Sequence, residues 1–402
     1  MRMKVALIIE RADTSLGGAE RSMFELATAI SVLGPEVNVL AAKGQAKTAN
    51  TRILCGDGEG NRANYFEFAG ALRKHLSANH YDIIHSALPF DFVDIYHPRG
   101  GTYAESILRN AASYHNRFVA SFKRLTAFSN RRRSILLRAE RRLCRQPAGP
   151  VIVAISQYVA EQLKQHYRTD AERIVIIPNG VEIAGEVDSK TASTLRGQIL
   201  RSLGVQKADD AVLLLFAANN FRLKGLTVLI KALYLTARHN LSERRACLVV
   251  AGNGKPAKYV RLAGRLGVDN RIIFLGSVAQ IQELLSVANV AVLPTFYDPS
   301  SRFILEAIAM GRPVVTTRFN GATDLFVNGR HGKVIESPEN AAELAQAIEH
   351  FTNREHIEQA SRAIAADNLR ETVSIKRVAG QLMNVYESIS RRKGQPLCTR
   401  SS

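Results

Sequence analysis

The sequence predicts an α/β chain of two doubly wound domains, each a parallel sheet with helices on both faces. Three observations predict it. Short apolar runs of strand length recur and alternate with segments of helical period, the pattern of sheets buried on both sides. The 402 residues suffice for two ordinary domains of about 100–200 residues each. The alternation is interrupted at Pro178-Asn179-Gly180, and a polar stretch with Gly185 and Gly197 follows, which marks a junction.

The first part begins with an apolar run at 5–9. It is shorter than the ~7–15 residues of a signal-peptide core, and Glu10, Arg11 and Asp13 follow it at once, so it reads as a buried strand. Residues 19–33 read as a helix and 37–41 as a strand. A helix at 64–77 leads to strands at 83–85 and 92–97. A basic helical region runs over 103–144. Strand 151–155, helix 157–166 and strand 174–177 complete this part.

The second part repeats the scheme, with strands at 212–216, 247–251, 272–275, 290–293 and from Val314. Helices are expected at 226–238, 257–266, 281–288, 303–310, 341–351 and 354–366. A last helix at 372–391 follows after this domain reads as complete, and 394–402 reads as a disordered tail. The domains are therefore 1–185 and 186–371, both Rossmann-like.

Charge narrows the partners. The formal net charge is +18, which implies an anionic partner. Between Arg109 and Arg145 the bases crowd together, and Glu140 is the only acid among them. Phe118, Val119, Phe122, Leu125, Ile135, Leu136 and Leu143 lie between the bases. Residues 109–145 therefore read as a surface for anionic membrane, or as a solvated helix with its apolar side inward. No nucleic-acid motif accompanies the charge, so nucleic acid is not expected as a partner. No apolar run reaches the ~18 residues of a membrane span. Four cysteines, Cys55, Cys144, Cys247 and Cys398, lack close pairing and metal-ligand spacing, which suits a reducing cytoplasm.

The chemistry concentrates at 294–317. Strand 290–293 leads through a polar loop into the helix that Gly311 ends, and Val314 opens the next strand. The helix N-terminus, at Ser300, Ser301, Arg302 and Phe303, offers free N–H groups to an anion, above all a phosphate. Asp298 and Glu306 flank it. A carboxylate is poorly placed to bind phosphate and well placed to accept from sugar hydroxyls. Together they suggest a nucleotide-sugar.

The Asp298-x7-Glu306 spacing resembles the acid-x7-Glu motif of glycosyltransferase family 4, the retaining enzymes of the GT-B fold. Within the family the chain is nearest the lipopolysaccharide core glucosyltransferase I group. The family has Glu where this chain has Asp298. The resemblance implies two domains facing a deep cleft, the first binding acceptor and the second nucleotide-sugar, with the C-terminal helix crossing back to the first. It implies that Asp298 contacts the donor sugar and Glu306 the ribose. Arg222 and Lys224, after strand 212–216, match the cations that hold the donor diphosphate; a solvated basic loop is the other reading. Gly17 and Gly18 match the glycine loop after the first strand, though a tight turn explains the pair equally. Asn253 and Gly254 match the turn after strand 247–251, and Ser277 lies in the next loop. His97 ends strand 92–97, where the family often has a His near the reacting sugar; a structural hydrogen bond is the alternative. Asp94-Ile95-Tyr96 and Tyr103-Ala104-Glu105 match the glucosyltransferase group in spacing, so His97 and Asp94 are candidate positioning groups. That group has acids where this chain has Gly100 and Ser22, which marks a changed acceptor side.

The expectation is a hexosyl transfer from a nucleoside diphosphate sugar, with UDP the commonest in the family, to a lipid-linked or envelope glycan in lipopolysaccharide biosynthesis. The enzyme would be peripheral on the inner face of the plasma membrane. No Asp-x-Asp stands at a strand end, so no metal or other cofactor is expected. A GT-B epimerase, a Rossmann oxidoreductase and a non-enzymatic binder of anionic membrane are the rivals. The oxidoreductase lacks its G-x-G-x-x-G fingerprint.

Overall fold

The computed structural model describes residues 2–13, 18–46, 48–56, 63–114, 116–183, 185, 187–239 and 244–394. The glycine Gly17 and the tail 395–402 lie outside them. Two compact units are present. One comprises Met1–Ile107, Leu125–Glu182 and Ile375–Ser402, the other Leu108–Arg124 and Ile183–Ser374. Leu108–Arg124, which the sequence reading leaves in the first domain, groups with the second unit.

The first unit holds strands β1 (Lys4–Ala12), β2 (Glu36–Gly44), β3 (Thr51–Ile53), β4 (Ile83–Ser86), β5 (Ile95–Tyr96), β6 (Val151–Ala154) and β7 (Ile174–Ile176). They form one parallel sheet in the order β3-β2-β1-β4-β5-β6-β7. The order reverses direction between β1 and β4, and in such sheets ligands bind at the carboxyl ends beside the reversal. β1 is buried on both faces because successive side chains point to opposite sides. Val5, Leu7 and Ile9 pack into one core cluster and Ala6 and Ile8 into another.

The helix Ile375–Gly394 completes this unit, as the sequence reading expects. Val378, Ala379, Leu382 and Tyr386 are buried in one cluster with Met23, Leu26 and Ile30 of the helix Gly18–Val32. The Ile375 N–H donates to the Val181 carbonyl at 2.8 Å, which seats its first turn.

The basic region is three helices rather than one: Tyr103–Ala112, Arg117–Leu125 and Arg131–Arg145. Asparagines make the breaks. Asn116 Oδ1 accepts from Phe118 N–H at 2.9 Å and Asn130 Oδ1 from Arg133 N–H at 3.0 Å, so each starts a new helix. Glu140 faces inward. It accepts from the Tyr96 hydroxyl at 2.7 Å, the Tyr103 N–H at 2.8 Å and the Tyr167 hydroxyl. The lone acid of this span thus ties the helix to the sheet rather than balancing surface charge.

The second unit holds β8 (Ala211–Ala217), β9 (Arg245–Ala251), β10 (Ile272–Gly276), β11 (Val290–Leu293), β12 (Val314–Thr317) and β13 (Gly332–Ile335). They form a parallel sheet in the order β10-β9-β8-β11-β12-β13, with its reversal between β8 and β11. The helix Ser189–Ser202 occupies the polar stretch read as a junction, capped by Asp188, which accepts from Thr191 N–H at 2.8 Å.

Candidate active site

The reversal in the second sheet places the loops after β8 and β11 side by side. The first carries Arg222 and Lys224, the second Asp298 and the helix Arg302–Ala309. Lys224 Nζ lies 2.6 Å from Asp298 Oδ2 and donates to the Tyr297 carbonyl at 3.0 Å. Asp298 Oδ1 also accepts from Ser300 N–H at 3.3 Å, which turns the chain toward the helix. Gly225 follows Lys224 with φ +82°, and a Cβ there would overlap the Pro294 carbonyl oxygen. Only glycine lets the two loops approach so closely.

The helix Arg302–Ala309 begins at Ser301, whose side chain makes no cap. Its first-turn N–H groups lie at a strand carboxyl end, as an anion site requires. Glu306 is buried one turn in, and Arg302 Nη2 donates to its Oε1 at 3.2 Å. Phe303 is buried and anchors the helix against the sheet.

Asn320 is a site residue that the sequence signals only weakly. It is wholly buried, and its Oδ1 accepts from Ser301 N–H and Ala322 N–H, both at 3.1 Å. Its Nδ2 donates to Thr316 Oγ1 at 3.0 Å. It therefore fixes the helix start, and an Asn-Gly pair after a strand was its only sequence signal.

Arg222 is held by the end of the helix Tyr103–Ala112. Nη1 donates to the Asn110 carbonyl at 3.0 Å and to Ser113 Oγ, and Nη2 to Asn110 Oδ1 at 3.1 Å. The Tyr114 ring covers the guanidinium at 3.8 Å. Nε–H and one Nη2–H have no protein partner among the described residues. That edge suits bidentate contact with a phosphate.

Other candidates fall differently. Gly254 makes room for the Phe221 ring, which a Cβ would overlap, so its first duty is packing. Asn253 and Ser277 are exposed at the carboxyl ends of β9 and β10. Gly18 is exposed at the start of its helix.

Asp94 is corrected by its place. It precedes β5, at the amino end of the sheet, and Oδ2 accepts from Ile84 N–H at 2.8 Å and pairs with Lys393 at 2.7 Å. It is an anchor for the C-terminal helix and lies at the opposite strand end from His97. His97 is wholly buried in a chain of polar contacts. Arg99 Nη1 donates to His97 Nε2 at 3.3 Å, since a guanidinium has only donors. Neutral His97 then carries its proton on Nδ1 and donates to His85 Nε2 at 3.0 Å, and His85 Nδ1 faces the Tyr386 hydroxyl at 2.6 Å. Burial, with the Arg99 charge beside it, lowers the pKa of both imidazoles, that of His85 to about 3. Arg99, missed in the sequence, also donates to Ser22 Oγ and to Asn179 Oδ1 at 2.6 Å.

The chain is similar to known proteins over most of its length. Residues 16–184 match the family model Glycosyltransferase Family 4, and residues 211–354 match Glycosyl transferases group 1. The lipopolysaccharide glucosyltransferase WaaG of Escherichia coli is 23% identical over 341 residues, 83% of this chain and 85% of that protein. An uncharacterized glycosyltransferase of Methanocaldococcus jannaschii, MJ1607, is 28% identical over 246 residues; the match takes in 58% of this chain and spans 61% of that relative's length. The crystal structure of WaaG, a glycosyltransferase involved in lipopolysaccharide biosynthesis, has a TM-score of 0.73 at 21% identity, covering 95% of this chain and 99% of that one. Anabaena Alr3699/HepE in complex with UDP and glucose has a TM-score of 0.67 at 19% identity, covering 96% and 100%. The fold is GT-B. The chain belongs to the glycosyltransferases of family 4 and group 1, similar to WaaG.

Proposed function

We propose that the protein is a retaining hexosyltransferase that moves a sugar from a UDP-sugar to a lipid-linked or envelope glycan acceptor of the lipopolysaccharide core type. The observation that carries this is Lys224, Asp298, the start of the helix Arg302–Ala309 and Glu306 gathered at the reversal of one sheet. In this reading the diphosphate lies against Lys224, the open edge of Arg222 and the N–H groups of the helix start. Glu306 accepts from the ribose hydroxyls and Asp298 from the sugar. The bond from the anomeric carbon to the diphosphate oxygen breaks with charge building on that oxygen, where the cations and peptide dipoles stabilise it. The acceptor oxygen bonds on the same face, and its proton passes to the departing phosphate. No metal takes part. His97 acts from within the first unit by positioning Arg99, and the acceptor is held by that unit.

Membrane attachment is proposed through the helix Arg117–Leu125. Phe118, Phe122 and Leu125 are 88%, 61% and 77% exposed, at helical spacing beside Lys123 and Arg124. Such a helix lies in an anionic interface, here the cytoplasmic face of the inner membrane. No helix among the described residues is long and apolar enough to cross one.

The test is product analysis with UDP-sugars, a core glycolipid acceptor and excess chelator. The proposal expects an acceptor-dependent product whose anomeric configuration matches the donor's. An inverted product, turnover without acceptor, or loss of activity with chelator contradicts it.

A further inference from the structure

We propose that a groove in the first unit binds a single-chain anionic amphiphile, an alkyl or acyl chain bearing a phosphate head. The inference is independent of the transfer reaction. The groove has a volume of about 550 Å³ and lies between the helices Tyr65–Ala78 and Arg131–Arg145. That volume is within the usual range of small-molecule sites.

Its floor is apolar. The Tyr65 and Phe90 rings stack at 5.0 Å and Phe90 and Phe92 at 5.2 Å. Phe66 stands at the rim, 64% exposed. Gly70 lies on the same helix face, where a Cβ would meet nothing within 4 Å. Glycine weakens a helix interior, and here no neighbouring atom requires it. Its effect is to keep the groove open.

The walls carry charge. Arg73, Arg138 and Arg142 line the groove beside its aromatic floor, and the Arg73 guanidinium lies over the Phe92 ring at 4.2 Å. The single acid of the lining, Asp91, is taken by Arg73 at 3.1 Å. Arg138 and Arg142 are exposed and have no ion-pair partner among the described residues. Apolar on its floor and cationic on its walls, the groove complements an anionic amphiphile. A bare sugar fits poorly: the Tyr65 hydroxyl donates to the Pro89 carbonyl at 2.8 Å and Asp91 is paired with Arg73, so the lining offers arginine donors but few acceptors for sugar hydroxyls.

The experiment is calorimetric titration of the full chain with dodecyl phosphate below its micelle concentration. Inorganic phosphate and dodecyl maltoside serve as comparison probes. The expected result is saturable one-to-one binding of dodecyl phosphate, at least tenfold tighter than either comparison. Gly70→Leu, which fills the groove, and the double variant Arg138→Gln/Arg142→Gln should each weaken it at least tenfold. Phe118→Ser/Phe122→Ser, on the membrane helix, should leave it unchanged. Absence of binding, equal affinity for dodecyl maltoside, or full binding by a folded Gly70→Leu protein overturns the proposal. So does a change of oligomeric state in Gly70→Leu without a change in binding, which assigns the groove to a second copy of the chain. Should Gly70→Leu fail to fold, the arginine variant decides, since both side chains are exposed.

Discussion

The Lys224 ammonium stands 2.6 Å from the Asp298 carboxylate, although the two residues follow different strands of the second sheet. The pair is mostly buried, 19% and 13% exposed, so each side chain is held in place by the other, at the point where the proposed mechanism puts the diphosphate and the sugar. Lys224→Ala should lower kcat/KM by about 10²–10³-fold, the size seen when one preorganised donor is lost. Asp298→Asn should bind free UDP at least as tightly, because the ammonium loses its competitor, while transfer slows. Initial rates and UDP titration of both variants check this.

Arg222 is oriented by Asn110 through two hydrogen bonds, at 3.0 and 3.1 Å. Asn110→Ala removes the side-chain bond and loosens the guanidinium. The donor KM should rise about tenfold, equivalent to roughly 1.4 kcal/mol, with little change in melting temperature. Tighter donor binding in Asn110→Ala would mean that the segment competes with the diphosphate instead.

Gly225→Ala should destabilise the protein by more than about 1 kcal/mol and weaken UDP binding, since φ is +82° and the new Cβ meets the Pro294 carbonyl. Gly276→Ala is the control: φ is +71° but nothing lies within 4 Å. It should carry the backbone strain without the loss of UDP binding.

Two buried groups give opposite pH slopes. Burial outweighs three hydrogen bonds and pushes the Glu140 carboxyl up to about 7. The folded protein holds this proton more tightly than the unfolded chain. Its contribution is full below about 4.5 and is lost as pH rises through 7. His85 is the reverse: with its pKa lowered from 6.5 to about 3, its contribution is full above 6.5 and is lost as pH falls. Glu140→Gln should therefore gain melting temperature relative to the parent between pH 5 and 7.5. A constant difference across that range would contradict the buried-carboxyl account.

The parallel sheets are legible because both faces of most strands are apolar, and the Asp298–Glu306 spacing is local in sequence. The three-residue β3 and the glycine-led β13 were too short or too polar to stand out. In sequence the helix Ser189–Ser202 reads as a polar junction, because Gly197 and its many hydroxyls mask a weak apolar stripe. The His97–His85–Tyr386 chain joins residues 301 positions apart and follows only from the return of the last helix. Asp94 shows the converse error. A spacing match placed it near the reaction, whereas an interval between motifs does not say at which end of a strand a residue falls. Arg99 carries no local pattern and Asn320 only an Asn-Gly pair, and their burial appears only when the loops assemble.

The central claim is that Lys224 and the helix start hold a diphosphate while Glu306 holds the ribose. The direct measurement is calorimetric titration of UDP and 2′-deoxy-UDP into the parent, Lys224→Ala and Glu306→Ala. The account predicts that Lys224→Ala weakens both nucleotides alike, whereas Glu306→Ala weakens UDP and leaves 2′-deoxy-UDP nearly unaffected. Parent-like affinities in both folded variants would contradict it.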